Sequence, residues 1–216
     1  MKTKEALKLY FEKGDQPTQE QFWEWMDSYW HKEEKIPQDA VEIFEKVIPF
    51  FDGDKLMGSS IALTIPKNIK QIYNSAYIYG GFNYQITKVI FNEGLEIIGS
   101  ASFHSQNIKS IDTPSTLKII KNSAFANQSN NINGNDSLEE IILNEGLEII
   151  EDYAFTVEMS KSPTIKNLYI PNTVQSVGQN AFFIPSLQTV SAPAGLDLST
   201  AGIPATAVIT YRDLPE

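Results

Sequence analysis

One recurring motif constrains the fold of this chain more than any other feature: an aliphatic triplet, a turn, a second aliphatic pair, then a small residue followed by an aromatic one. Its two clearest copies are ITKVIFNEGLEIIGSASF, ending at Phe103, and LEEIILNEGLEIIEDYAF, ending at Phe155. Spacings of about 22 to 30 residues are typical of repeats that stack into a solenoid. Aligned on the residue before the turn, the copies fall at Ile65, Phe91, Thr113, Leu143 and Ile170, with a degenerate sixth at Ala192.

Each copy predicts one rung of the solenoid. Triplets such as Val89-Ile90-Phe91 alternate in-out-in as short strands. The second aliphatic segment returns the chain along another face, and a short helical turn then buries a pair such as Ala124-Phe125. One rung cannot bury these side chains alone, whereas stacked rungs share a continuous core. We therefore predict an α+β repeat solenoid with short parallel strands and helical turns.

The first 37 residues differ in kind from the repeats. Thr18 followed by Gln21 fits a capping box at the start of a helix, and a shorter helix is expected over about residues 4–13. Together they predict an N-terminal helical hairpin with more aromatic surface than a lone hairpin can expose to water. It could cap the solenoid, pack on itself, dock on a partner or form an oligomer. The predicted anchor or oligomer contacts are Phe22, Trp23, Trp25, Met26, Tyr29 and Trp30.

These patterns divide the chain into four segments. Residues 1–37 form the predicted helical anchor, 38–60 a connector and N-terminal cap, 61–192 the repeats, and 193–216 a C-terminal cap. Terminal units of a solenoid depart from the repeat because they cover an exposed end.

Composition excludes several classes of function. The 17 basic and 27 acidic residues give a net charge of −10, which repels a phosphate backbone, so no nucleic-acid partner is expected. There are no cysteines, which removes disulfides and thiolate chemistry. No apolar run is long enough to insert into a membrane, and the charged N-terminus does not fit a secretory signal.

The repeat resembles the BspA-type leucine-rich repeat of bacterial surface adhesins. The recurring form is Leu-x-x-Ile-x-Leu-Pro-x-x-Leu-x-x-Ile-x-x-x-Ala-Phe, matched best by residues 165–182 and by the copy ending at Phe125. The cysteine that often follows the Ala-Phe pair in that family is absent from every copy. The resemblance implies adhesion to proteins or glycans, without catalysis or a cofactor.

The first 37 residues, here called the leader, resemble the N-terminal segments of virion proteins in phages and prophages of Bacteroidetes. The resemblance rests on Gly14-Asp15, Pro17-Thr18, Phe22, Asp27-Ser28, Trp30-His31-Lys32 and Ile36-Pro37. It implies an attachment module that precedes an exposed distal domain in a tail or fibre component.

Few residues in this sequence are candidates for catalysis or metal binding. Residues 129–140 match the offsets of a calcium loop, but the first position is Ser129, so a polar insertion is favoured and no metal site is predicted. His31 and His104 have no evident nucleophile partner, and no phosphate-binding or dinucleotide motif is present. We expect no enzyme; a glycan-active enzyme is a distant alternative.

A binding surface is better supported. The middle residue of each first strand is expected to point outward, so that the outward positions stack at one strand spacing into a solenoid face. We therefore expect a non-enzymatic virion component, homo-oligomeric and docked by its leader, that contacts virion proteins, a host surface protein or a glycan. The alternative is a bacterial cell-surface adhesin. The predicted binding residues are Ile90, Asp112, Ile142, Tyr169 and Ser191.

Overall fold

The computed structural model describes residues 9–11, 14, 16–26, 45–52, 55–79, 84–128, 138–157 and 164–213. These residues belong to two compact units, Met1–Ile43 and Phe44–Glu216. The second unit contains all the repeats.

The N-terminal unit contains a 3-10 turn, Leu9–Phe11, and an α-helix, α1, Gln19–Met26. The predicted capping box is confirmed: Gln21 N–H donates to Thr18 Oγ1 at 3.3 Å, and Thr18 N–H donates to Gln21 Oε1 at 2.9 Å. The helical hairpin is not supported, because the described part of the first predicted helix is a single 3-10 turn. Gly14, at a φ of 101°, has a backbone conformation that ends a right-handed helix.

The repeat unit consists of two rows of short strands with a shared core between them. The first row is β1 (Glu45–Asp52), β2 (Lys55–Thr64), β4 (Tyr84–Ile90), β6 (Ser110–Asp112), β8 (Glu140–Ile142), β10 (Asn167–Tyr169), β12 (Thr189–Pro193) and β13 (Val208–Arg212). The second row is β3 (Gln71–Ile72), β5 (Ile97–Ile98), β7 (Ile119–Ile120), β9 (Ile149–Ile150) and β11 (Ser176–Val177).

The second row is one continuous parallel sheet, in the order β11-β9-β7-β5-β3. The first row comprises three sheets, β1-β2-β4, β6-β8 and β10-β12-β13. Its pairings are parallel except for the antiparallel pair β1 and β2, which brings the predicted connector into the first sheet. Repeat stacking and parallel strands are therefore confirmed.

A ladder of aromatic rings runs through the core between the rows. Tyr77, Phe103, Phe125, Phe155 and Phe182 stack in sequence, with ring centroids 5.4 to 5.5 Å apart and planes within 8° of parallel. The four phenylalanines are fully buried. This spacing is close to one strand spacing, so each rung contributes one ring to the ladder, and it lies in the range in which aromatic pairs attract each other.

The predicted helical turns around the Ala-Phe pairs are wrong. In each rung the residue two before the aromatic has a left-handed backbone, with φ between 52° and 57°, which stops a right-handed helix. The amides of the turn instead bond to the next rung: Phe103 N–H donates to Ala124 O and Phe125 N–H to Ala154 O, both at 2.8 Å. The α+β class is therefore replaced by a solenoid with almost no helix. The left-handed residues at this position of the rung are Ser75, Ala101, Ser123, Tyr153 and Asn180.

The Asn-Glu-Gly turns connect each rung to both of its neighbours. Asn144 Nδ2 donates backwards to Thr113 O, while the Glu145 carboxylate accepts forwards from the amides of Asn172 and Thr173, at 3.1 and 3.2 Å. Gly146 N–H donates to Thr173 Oγ1 at 2.9 Å. The copy at residues 92–94 bonds in the same way to residues 65, 115 and 116. In both turns the glycine N–H bonds to a threonine hydroxyl of the next rung, Thr116 or Thr173.

Candidate functional site: the outer face of the first strand row

The structure places the five predicted binding residues on one surface. We call it the outer face: the side of the first strand row turned away from the core, with Ile90, Asp112, Ile142, Tyr169 and Ser191. Asp112 is in register with Ile142, and Tyr169 with Ser191. Ile90, Ile142 and Tyr169 are 44%, 38% and 44% exposed, whereas the residues before them in sequence are buried. The strand alternation therefore presents large apolar side chains to solvent.

A second, polar row lies beside these residues on the outer face. Ser110 Oγ donates to Glu140 at 3.2 Å, and Thr189 Oγ1 donates to Asn167 Oδ1 at 2.6 Å. These bonds join neighbouring rungs, so the polar row fixes side chains in place beside the apolar positions.

Tyr169 is the most firmly held outward side chain. Its hydroxyl donates to Glu145 Oε1 at 3.0 Å, and the guanidinium carbon of Arg212 lies 4.1 Å from the ring centroid. Arg212 also donates to Ser191 Oγ at 2.7 Å and to Asn172 Oδ1 at 2.9 Å. A cation over an aromatic face is attractive, so the ring has a fixed orientation while almost half of it stays exposed. Glu145 and Arg212 lie 24 and 43 positions away in the sequence, and no local pattern predicts their contact with Tyr169.

The pKa values of Glu145 and Tyr169 are set by burial and by their hydrogen bonds. Burial raises the pKa of Glu145, but donation from Asn172, Tyr169 and Thr173 outweighs it, and the pKa is lowered overall. Burial and the neighbouring Glu145 raise the pKa of Tyr169. Glu145 is therefore ionised and Tyr169 neutral near neutral pH.

An open groove of about 540 Å³ crosses the outer face between β8 and β10. In the part of the chain that the structure describes, no backbone hydrogen bond joins these two strands, although β9 and β11 behind them are paired. The first strand row is thus interrupted between β8 and β10, whereas the second row is hydrogen-bonded without a break behind them. Groups on its walls include Glu139, Glu140, Lys166, Asn167 and Tyr169.

The predicted anchor residues are only partly within the described structure. Phe22 and Trp23 lie on α1 and are 46% and 53% exposed. Trp25 and Met26 belong to the same helix, whereas Tyr29 and Trp30 lie outside the described residues.

The remaining candidates for catalysis or metal binding form no site within the described residues. Residues 129–137 of the calcium-like loop lie outside the described residues, as does His31. His104 has a partner that the sequence did not predict: its Nδ1 lies 2.9 Å from Ser105 Oγ, the next residue in the turn. In the described ranges, no group of three or more acidic or histidine residues could hold a metal ion. Across those ranges, too, no helix has the length and apolar character of a membrane span.

Together, the paired rows of short strands, the aromatic ladder and the exposed outer face define a repeat solenoid with a surface suited to contact. A family model described as "BspA type Leucine rich repeat region (6 copies)" matches residues 56–133 and 131–202. The chain therefore belongs to the BspA-type leucine-rich repeat family. No curated protein matches it significantly.

Proposed function

We propose that this protein is a non-enzymatic interaction protein that binds a surface protein or glycan through the outer face. The observation that carries the proposal is the exposure of Ile90, Ile142 and Tyr169 at outward positions of one strand row. A few residues near the centre of an interface, tyrosine prominent among them, supply most of its binding energy. Membership of the family supports adhesion as the role.

The hydrogen bonds of the outer face support binding more than catalysis. Glu145, Asn167, Ser191 and Arg212 are engaged with neighbouring rungs, so they hold the surface in one shape. A preformed surface loses little conformational entropy when it binds. We propose no cofactor and no metal for this role.

Substitutions that introduce a charge test the outer face. The full chain and its Tyr169→Glu and Ile142→Glu variants are applied to a glycan array and to a panel of immobilised extracellular-matrix proteins. We expect at least a tenfold loss of binding for both variants, since a desolvated charge opposes contact. Tyr73→Glu is the matched control, because Tyr73 is an exposed aromatic that follows β3 in the second row. Equal binding by Tyr169→Glu and Tyr73→Glu would refute the role of the outer face.

A narrower role, that of a virion tail or fibre component, is supported by one further observation. Two large aromatic side chains, Phe22 and Trp23, are exposed on a helix of a unit separate from the repeats. In this role the leader docks onto other virion proteins or forms a homo-oligomer, and the repeats are displayed. Capsid and tail genes beside the coding gene would support it; genes for secretion and cell-surface attachment there would favour a bacterial adhesin instead.

A further inference from the structure

The last strand of the first row leaves one edge open. Val208 N–H donates to Gln188 O at 2.8 Å, and Arg212 O accepts from Ala194 N–H at 2.7 Å, so these residues bond inward to β12. In a parallel ladder the alternate residues, Ile209 and Tyr211, then direct their N–H and C=O groups away from β12. In the described ranges, no strand pairs with this outer edge of β13.

The core is also incomplete at this strand. Ile209 and Tyr211 are in register with Val190 and Ala192, which are 1% and 0% exposed. Ile209 is only half-buried and Tyr211 is 51% exposed, although both continue the core side of the row. The end of the row therefore leaves apolar surface and backbone groups uncovered together.

Common protections of an edge strand are missing from β13. Natural edges carry a lysine, a proline, a bulge or an inward charge that prevents pairing. The sequence Val-Ile-Thr-Tyr-Arg is rich in strand formers, and its register with β12 is unbroken. Its single charge, Arg212, is directed back to Tyr169 and Asn172.

We propose that β13 pairs antiparallel with β13 of a second copy of this chain about a two-fold axis through Thr210. This register places Ile209 opposite Tyr211 of the second copy, so that the outward backbone groups of both strands bond to each other. Thr210 faces its own counterpart, a favourable cross-strand pair. Both half-exposed core residues gain an apolar neighbour, and the interface closes on itself as a symmetric dimer. The two outer faces then form one continuous surface.

Single cysteines test this geometry cleanly because the chain has none of its own. At the axis, the two Thr210 Cα atoms would lie about 4.5 Å apart, within disulfide range. The two Val208 Cα atoms would be separated by about 14 Å along the strand, beyond that range. Under mild oxidation, full-length Thr210→Cys should form a covalent dimer in high yield, and the matched control Val208→Cys should stay monomeric. A monomeric Thr210→Cys, or equal cross-linking of both variants, would overturn the proposal.

A second measurement separates edge pairing from association by other segments. Tyr211→Pro removes an N–H that points outward and leaves the bonds to β12 intact. In the Thr210→Cys background it should reduce cross-linking at least tenfold, with an unchanged circular dichroism spectrum. Undiminished cross-linking in a folded double variant would contradict the pairing; if that variant does not fold, the contrast between Thr210→Cys and Val208→Cys decides alone. Failure of the dimer would leave the proposed binding role of the outer face standing, since that role is tested separately.

Discussion

The Glu145 carboxylate accepts a hydrogen bond of 3.0 Å from the hydroxyl of Tyr169, so the turn of one repeat holds the outward ring of the next. The same carboxylate caps the amides of Asn172 and Thr173. One side chain therefore stabilises the stacking of two rungs and orients a residue of the outer face. Stability and surface shape are coupled at this position.

Glu145→Gln should destabilise the protein in a pH-dependent way. Hydrogen bonds lower the pKa of Glu145 below 4.5 in the folded state. The stabilisation is therefore present above pH 4.5 and is lost as the pH falls through the lower folded-state pKa. Because the group is largely exposed, we expect a loss of about 1 kcal/mol at pH 7 and a smaller loss at pH 3.

Urea unfolding at the two pH values measures this difference. Glu148→Gln is the control, since Glu148 forms an exposed ion pair of 2.9 Å with Lys118, which contributes less than about 0.5 kcal/mol. An equal loss at pH 3 and pH 7 for Glu145→Gln would show that the carboxylate charge is not the cause.

Two glycines in equivalent turns should respond unequally to alanine. Gly94 and Gly146 have φ values of 107° and 112°, so both substitutions strain the backbone. A Cβ on Gly146 would lie 2.1 Å from Ser115 O, whereas one on Gly94 would lie 3.2 Å from Lys67 O. We expect Gly146→Ala to lower the unfolding free energy by about 3 kcal/mol and Gly94→Ala by about 1 kcal/mol. Equal losses in urea titrations would argue against the close approach at Gly146.

A glycine should stabilise the Ala-Phe turn at its left-handed position. Ala101 has a φ of 52°, which is costly for any residue with a Cβ. We expect Ala101→Gly to raise the unfolding free energy by about 0.5 kcal/mol, after the added entropy of the unfolded chain is counted. Ala124→Gly, at a fully buried position of the next rung, should instead cost about 1 kcal/mol. Thermal unfolding of both variants checks the opposite signs.

The middle of the aromatic ladder should be more sensitive than its first member. Phe155 is fully buried between Phe125 and Phe182, so Phe155→Ala should cost about 3 to 5 kcal/mol. Tyr77 is half-buried, and Tyr77→Ala should cost about 2 kcal/mol. Urea unfolding measures both, with Phe155→Leu as the milder control. A larger loss at Tyr77 than at Phe155 would contradict a ladder whose first member is its least buried ring.

Periodicity predicted the parts of the fold that depend on one rung alone. The triplets became strands with alternating burial, and the Ala-Phe positions became core, because apolar side chains separate from water in any stacked arrangement. The turns were mispredicted as helical because their backbone bonds run to the next rung, as from Phe103 to Ala124. A pattern within one copy carries no information on that partner.

The sequence by itself determined a stacked repeat with a buried aliphatic and aromatic column, and it identified which residues would point outward from the first strands. Only the tertiary structure decided how those outward residues are held. Arg212 meets Tyr169, and Glu145 meets both Tyr169 and Asn172, across distances in sequence that no local spacing encodes. The tertiary structure also left β13 as an open edge. Alternation follows from the geometry of a single strand, whereas side-chain contacts between rungs depend on register, which exists only once the rungs have stacked.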